Sequence, residues 1–157
     1  MPHAIINNTH LSFSEDTKVI TQDMVSLYKD MVTHITIPEG VEAINEDAFC
    51  SFDKLIAVGL PDSLTTIEAG AFRGCRGLPS IIFPDSLTTI GYCAFKNCAG
   101  LTSLALPDSL TTIDKWTFTD CTGITSITFP NILTTIGYAA FARCTGLTEI
   151  PFPDSLT

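Results

Sequence analysis

Six cysteines, three histidines and a recurring aspartate are the side chains in this sequence best suited to chemistry, so their spacing comes first. Cys75, Cys98, Cys121 and Cys144 stand 23 residues apart, which makes them a ladder rather than a set of pairs. Stacked equivalents in neighbouring coils lie ~4.8 Å apart with side chains pointing the same way. A disulfide needs Cβ atoms ~3.8 Å apart and turned toward each other. The ladder is therefore read as buried, reduced thiols that bond weakly to turn backbone. Cys50 and Cys93 fall outside it. No C-x-x-C occurs, and His3, His10 and His34 all lie near the N-terminus, so neither zinc nor any other metal is expected. There is no G-x-S-x-G, no phosphate-cradling glycine loop and no carboxylate pair outside a repeated position. Asp62, Asp85, Asp108 and Asp154 recur in a Pro-Asp-Ser turn, where an aspartate is expected to cap local backbone. The expectation is no catalytic residue, no cofactor and no enzyme.

The spacing itself is the stronger signal. Pro38, Pro61, Pro84, Pro107, Pro130 and Pro153 are 23 residues apart without a slip, the mark of a solenoid in which each repeat is one supersecondary unit. Phe49, Phe72, Phe95, Phe118 and Phe141 follow the prolines by eleven residues, and Ile44, Ile67, Ile90, Ile113 and Ile136 by six. Leucines and isoleucines fill the run before each proline, as in Leu101, Leu104 and Leu106. Such columns arise because each side chain in a solenoid packs on its own equivalent in the next coil.

The pattern L-x-x-L-x-L-P-x-x-L-x-x-I-g-x-x-A-F-x-x-C, held from about Ile35 to the last residue, resembles the BspA-like or Treponema pallidum-type leucine-rich repeats. That resemblance implies a right-handed, β-rich solenoid of 23-residue repeats with a parallel sheet on its concave side. It also implies interaction or adhesion, since some members are surface adhesins that bind host proteins.

At 157 residues the chain fits one domain, and its 45% hydrophobic content is ample for a core. The net charge of -9 argues against nucleic acid, which wants clustered lysine and arginine. Residues 1–53 hold nine acids against Lys18 and Lys29, so the acidity sits mainly at the N-terminal end. No window approaches the ~20 apolar residues of a membrane span. The start MPHAIINNTHLSF is not a signal peptide, so the chain as written reads as cytoplasmic, with a surface or secreted location if a leader has been removed.

Residues 1–31 are expected to form an α/β cap, with short strands at Ala4–Ile6 and Leu11–Phe13. An amphipathic helix follows from Thr21, showing Met24, Leu27, Tyr28 and Met31 to the core. The solenoid then occupies 32–157, beginning at Val32. Each coil should carry two strands, one ended by the proline and one over L-T-T-I, with a glycine such as Gly100 or Gly123 closing the loop. Thr157 falls halfway through a coil, leaving Phe152 and Leu156 on an open end. Either the sequence is a fragment of a longer array or another molecule covers that end, and a homodimer through it is the second functional reading.

Two groups of surface residues are candidates for contacting a protein partner. Tyr92, Trp116 and Tyr138 recur at nearly one repeat position and should form an aromatic strip, with Lys115 beside it. Ser80, Ser103 and Ser126 head a column of small residues on the first strand, suited to close approach by a partner's backbone. Arg73, Arg76, Lys96 and Arg143 would add a weakly basic rim. The paired threonines, such as Thr88-Thr89, are adjacent and should face opposite ways, which is read as solvated strand surface.

Overall fold

The computed structural model describes residues 4–157, so His3 lies outside the described residues. The chain winds into a β-solenoid of about six turns with equivalent residues about 23 apart. The first strand of each coil gives β4 (His34–Thr36), β6 (Ala57–Gly59), β9 (Ser103–Ala105) and β11 (Ser126–Thr128). The second gives β5 (Ala43–Ile44), β7 (Thr66–Ile67), β8 (Thr89–Ile90), β10 (Thr112–Ile113) and β12 (Thr135–Ile136). Each pairs in parallel with at least one equivalent, as in Ser126 against Ser103 and Ile67 against Ile90, and the second-strand ladder divides between β8 and β10.

The N-terminal residues are β1 (Ala4–Asn7), β2 (His10–Phe13) and β3 (Val19–Ile20). β1 and β2 form an antiparallel hairpin where two short strands were expected. β2 then pairs in parallel with β4, and β3 with β5. Coil-to-coil stacking therefore reaches back to His10 rather than starting at Val32. Its partners stand 24 residues apart, His10 with His34 and Ile20 with Ile44, which hides it from a search at 23. The expected helix shrinks to α1 (Gln22–Val25) and a 3-10 turn over Ser26–Tyr28, and Thr21 makes no side-chain cap. Val25 is its buried residue, whereas Leu27 and Met31, assigned to the core face, are exposed.

The third side of each coil, after the second strand, is hydrogen-bonded without being strand. The N–H groups of Phe49, Phe72, Phe95 and Phe118 donate to the carbonyls of Ala71, Ala94, Thr117 and Ala140 in the next coil at 2.7–2.9 Å. Two residues per coil on this side adopt positive φ. One set is Asp47, Gly70, Cys93, Trp116 and Ala139; the other is Ser51, Gly74, Asn97, Asp120 and Arg143. The two bends let every second N–H point along the stack, so a tight turn keeps its backbone groups satisfied.

Inside, the columns stack as the period requires. Phe72 lies 5.3 Å from Phe95 and Phe95 5.5 Å from Phe118, ring on ring within about 10°. The four ladder cysteines are buried, and each thiol donates to a phenylalanine carbonyl 26 residues earlier, Cys98 to Phe72 at 3.1 Å and Cys121 to Phe95 at 3.1 Å. In the Pro-Asp-Ser turn the serine, not the aspartate, makes the tie. Ser86 and Ser109 donate to Leu64 and Leu87 at 2.6 Å, while Asp85 and Asp108 stay exposed. Glycines before the leucines sit where backbones nearly touch: a Cβ on Gly123 would meet the Ala99 carbonyl at 2.5 Å and that of Leu101 at 2.7 Å.

Candidate functional site

The rings of Tyr92, Trp116 and Tyr138 come together on the third side of three successive coils. Trp116 lies 5.4 Å from Tyr92 at 72° and 5.9 Å from Tyr138 at 76°, so the three alternate edge to face. Tyr138 is 73% exposed and Tyr92 43%, with Trp116 half-buried between them. Trp116 holds this place with φ of 56°, a left-handed conformation that is unusual for so bulky a residue. The equivalent positions in the other coils, Asp47, Gly70, Cys93 and Ala139, make the same bend. Hydrogen bonds hold the bend from both sides. Trp116 N–H donates to the Tyr138 carbonyl at 3.0 Å, the Thr117 hydroxyl to Asp114 at 2.8 Å, and the Thr119 hydroxyl to Ala139 at 2.6 Å. Those threonines are buried, and their hydroxyls tie the turn to its own backbone and to that of the next coil.

Lys115 is exposed next to the strip, its backbone N–H taken by Asp114 Oδ1 at 2.6 Å. Ser80, Ser103 and Ser126 are also exposed, but on the first-strand side of the coil and not beside the aromatics. The basic rim is largely committed to inter-coil ion pairs. Arg73 meets Asp47 at 3.2 Å, Arg76 meets Asp53 at 4.0 Å, and Arg143 grips Asp120 with two bonds of 2.5 and 2.8 Å, which lowers the Asp120 pKa. Arg73 also donates to the sulfur of Cys50 at 3.4 Å. Both threonines of the Thr88-Thr89 pair are at the surface, and the first turns its hydroxyl to Thr65 in the coil before. Phe152 is 56% exposed and stacked on Phe129 at 6.0 Å, while Leu156 is half-buried.

His10 and His34 stack 6.1 Å apart and are met by threonine hydroxyls, Thr36 and Thr33 respectively, at 2.8 Å. Among the described residues no group of three or more His, Cys, Asp or Glu is gathered for a metal. No helix among the described residues is long and apolar enough to cross a membrane.

One feature went unread in the sequence. Pro79 occupies the position where Ile56 and Thr102 donate to the previous coil, and proline has no N–H to give. Residues 79–84 accordingly form no strand, and the first-strand sheet divides between β6 and β9. A cleft of ≈ 390 Å³ opens there, lined by Val58, Leu60, Ile82, Phe83, Asp62 and Asp85 among others, with Ile82 85% exposed. A proline in a strand position was the available signal.

Parallel coils with apolar columns and a proline-ended strand define a leucine-rich repeat solenoid. The BspA type leucine rich repeat region matches in six copies over residues 4–56, 18–76 and 42–157, and the chain belongs to that family. Among solved structures it is similar to a Treponema pallidum leucine-rich repeat protein, at 21% identity and TM-score 0.72 over 90% of this chain and 79% of that one. A leucine-rich repeat protein from Bacteroides ovatus matches at 35% identity and TM-score 0.60 over 80% of this chain. A leucine rich cell surface protein from Faecalibacterium prausnitzii matches at 22% identity and TM-score 0.71 over 94%. This chain spans 38% of the Bacteroides protein and 52% of the Faecalibacterium one. No curated protein matches.

Proposed function

We propose that this chain is a non-catalytic protein-binding module, and that Tyr92, Trp116 and Tyr138, with Lys115 at their edge, contact the partner. The observation that carries this is the row of three rings brought together from successive coils, with Tyr138 73% and Tyr92 43% exposed on either side of Trp116. Tyrosine and tryptophan anchor interfaces because they bury large area at low entropy cost. An adhesion role extends the same reading, with the Faecalibacterium cell surface protein as precedent in fold. The first-strand serines Ser80, Ser103 and Ser126 would be a secondary contact. The test is a pull-down with the wild type and with a Tyr92, Trp116 and Tyr138 triple-alanine variant. Loss of the captured protein supports the reading; equal capture by both overturns it.

Self-association through the last coil is the second reading, favoured by the exposure of Phe152. The backbone N–H groups of Ala139, Phe141 and Arg143 have no acceptor among the described residues, whereas their equivalents in earlier coils all do. A further coil or a second copy would supply the acceptors.

A further inference from the structure

We infer that the solenoid carries a hinge between two of its middle coils, with the third side as its axis and Ser109 as the catch opposite. The border lies between the coil of residues 79–98 and the next one, 102–121. It operates whatever the aromatic strip binds.

Three sides hold a coil to its neighbour, and at this border two of them lapse together. On the first-strand side Pro79 brings no N–H, residues 79–84 form no strand, and the next sheet begins at β9. On the second-strand side one sheet ends at β8 and another begins at β10. Other borders are closely tied here: the N–H groups of Thr65, Thr88 and Thr134 donate to the carbonyls of Glu42, Thr65 and Thr111 at 2.9–3.0 Å. Two ladders that stop at the same level leave a border that is weak over most of its perimeter.

The third side does not lapse. The N–H groups of Cys93, Phe95 and Asn97 donate to the carbonyls of Lys115, Thr117 and Thr119 at 3.2, 2.9 and 2.8 Å, and Phe95 stacks on Phe118. The adjoining corner is kept by Thr102, whose N–H meets the Pro79 carbonyl at 3.1 Å and whose hydroxyl meets it at 3.2 Å. A border tied along one side and loose along the other two opens by rotation about the tied side. Tyr92 and Trp116 belong to different halves, yet both lie on the axis side, where that rotation moves them least.

On the open side a single catch crosses the border among the described residues. The Ser109 hydroxyl donates to the Leu87 carbonyl at 2.6 Å, tying the Pro-Asp-Ser turn of one coil to the coil before. Elsewhere the same contact supplements strand pairing, as where Ser86 reaches Leu64 beside the bonded β7 and β8. At the hinge it stands without that support. Swinging open changes the curvature of the stack and bares Leu87 and Leu110, which are fully buried when the border is closed.

Hydrogen exchange on the full chain tests this. The N–H groups of Leu64, Leu87 and Leu110 donate to the carbonyls of Pro61, Pro84 and Pro107 at 3.0–3.1 Å, and all three leucines are fully buried. Their geometry alone gives them equal protection, and in a uniform array the coils farthest from the ends exchange no faster than the rest. The hinge predicts the reverse, with Leu87 and Leu110 exchanging about tenfold or more faster than Leu64. Ser109→Ala should speed Leu87 and Leu110 by a further ~3–10-fold and leave Leu64 unchanged. Equal or slower exchange at Leu87 and Leu110 in the wild type overturns the hinge. A Ser109→Ala variant that speeds all three alike also overturns it, because the coils would then be opening as one.

Discussion

Trp116 and the four ladder cysteines show what a repeat does to single residues. In the columns each side chain inherits its environment from the coil before. Burial pushes the Cys144 thiol up to about 11 from its ordinary 9.0, and the thiols of Cys75, Cys98 and Cys121 are raised further inside the stack. A thiol pKa raised by folding contributes stability that is complete below pH 9 and lost as pH climbs through the folded value. Denaturation midpoints should therefore fall from about pH 9 upward, and Cys144→Ala should flatten part of the fall between about 9 and 11. An unchanged slope in that variant would mean the thiol is not buried as described. The ladder was legible because four cysteines at 23-residue intervals allow little else. The left-handed bends were not, because eight different non-glycine positions, from Asp47 and Ser51 to Ala139 and Arg143, fill them alongside only two glycines. The backbone there is set by coil-to-coil hydrogen bonds, which leave no residue type as a signature.

At the scale of the element, strands were readable from proline, leucine and isoleucine because a two-residue alternation survives in every coil. The N-terminal coil escaped because its partners are offset by 24, and the helix because too few residues remained to build more than one turn. The break at Pro79 belongs to this scale as well. Threonine stands at the equivalent position in Thr33, Thr102, Thr125 and Thr148. Pro79→Thr would restore a donor toward the Ile56 carbonyl. The substitution should stabilise the protein by ~0.5–1.5 kcal/mol, read as a higher urea midpoint. A lower midpoint would show that the cleft, not the ladder, is the preferred state of this coil.

For the whole molecule, stability is a sum of coils and the interfaces between them, so each end has one neighbour fewer. Phe141, Leu147, Ile150 and Leu156 are only partly buried in the last turns, where their equivalents in the middle are closed off. If copies meet through this surface, light scattering over a concentration series will show a dimer that Phe152→Glu abolishes. A dimer that survives the substitution would place the contact elsewhere. The candidate strip was legible as a set of positions, since aromatic residues recur within one residue of the same point of the repeat. Its alternating geometry, and the commitment of Arg73, Arg76 and Arg143 to ion pairs, follow from side-chain packing that the period does not encode.

One set of columns holds the coils together, and the strip on the third side is proposed to be free for contact. Phe118 is fully buried with Phe95 and Phe141 each 5.5 Å away, so Phe118→Ala opens a cavity in mid-stack. Urea unfolding of Phe118→Ala beside the Tyr92→Ala, Tyr138→Ala double variant tests the division directly. Phe118→Ala should lose ~3–5 kcal/mol and the double variant less than about half of that. Equal losses would make the tyrosines part of the core and contradict it.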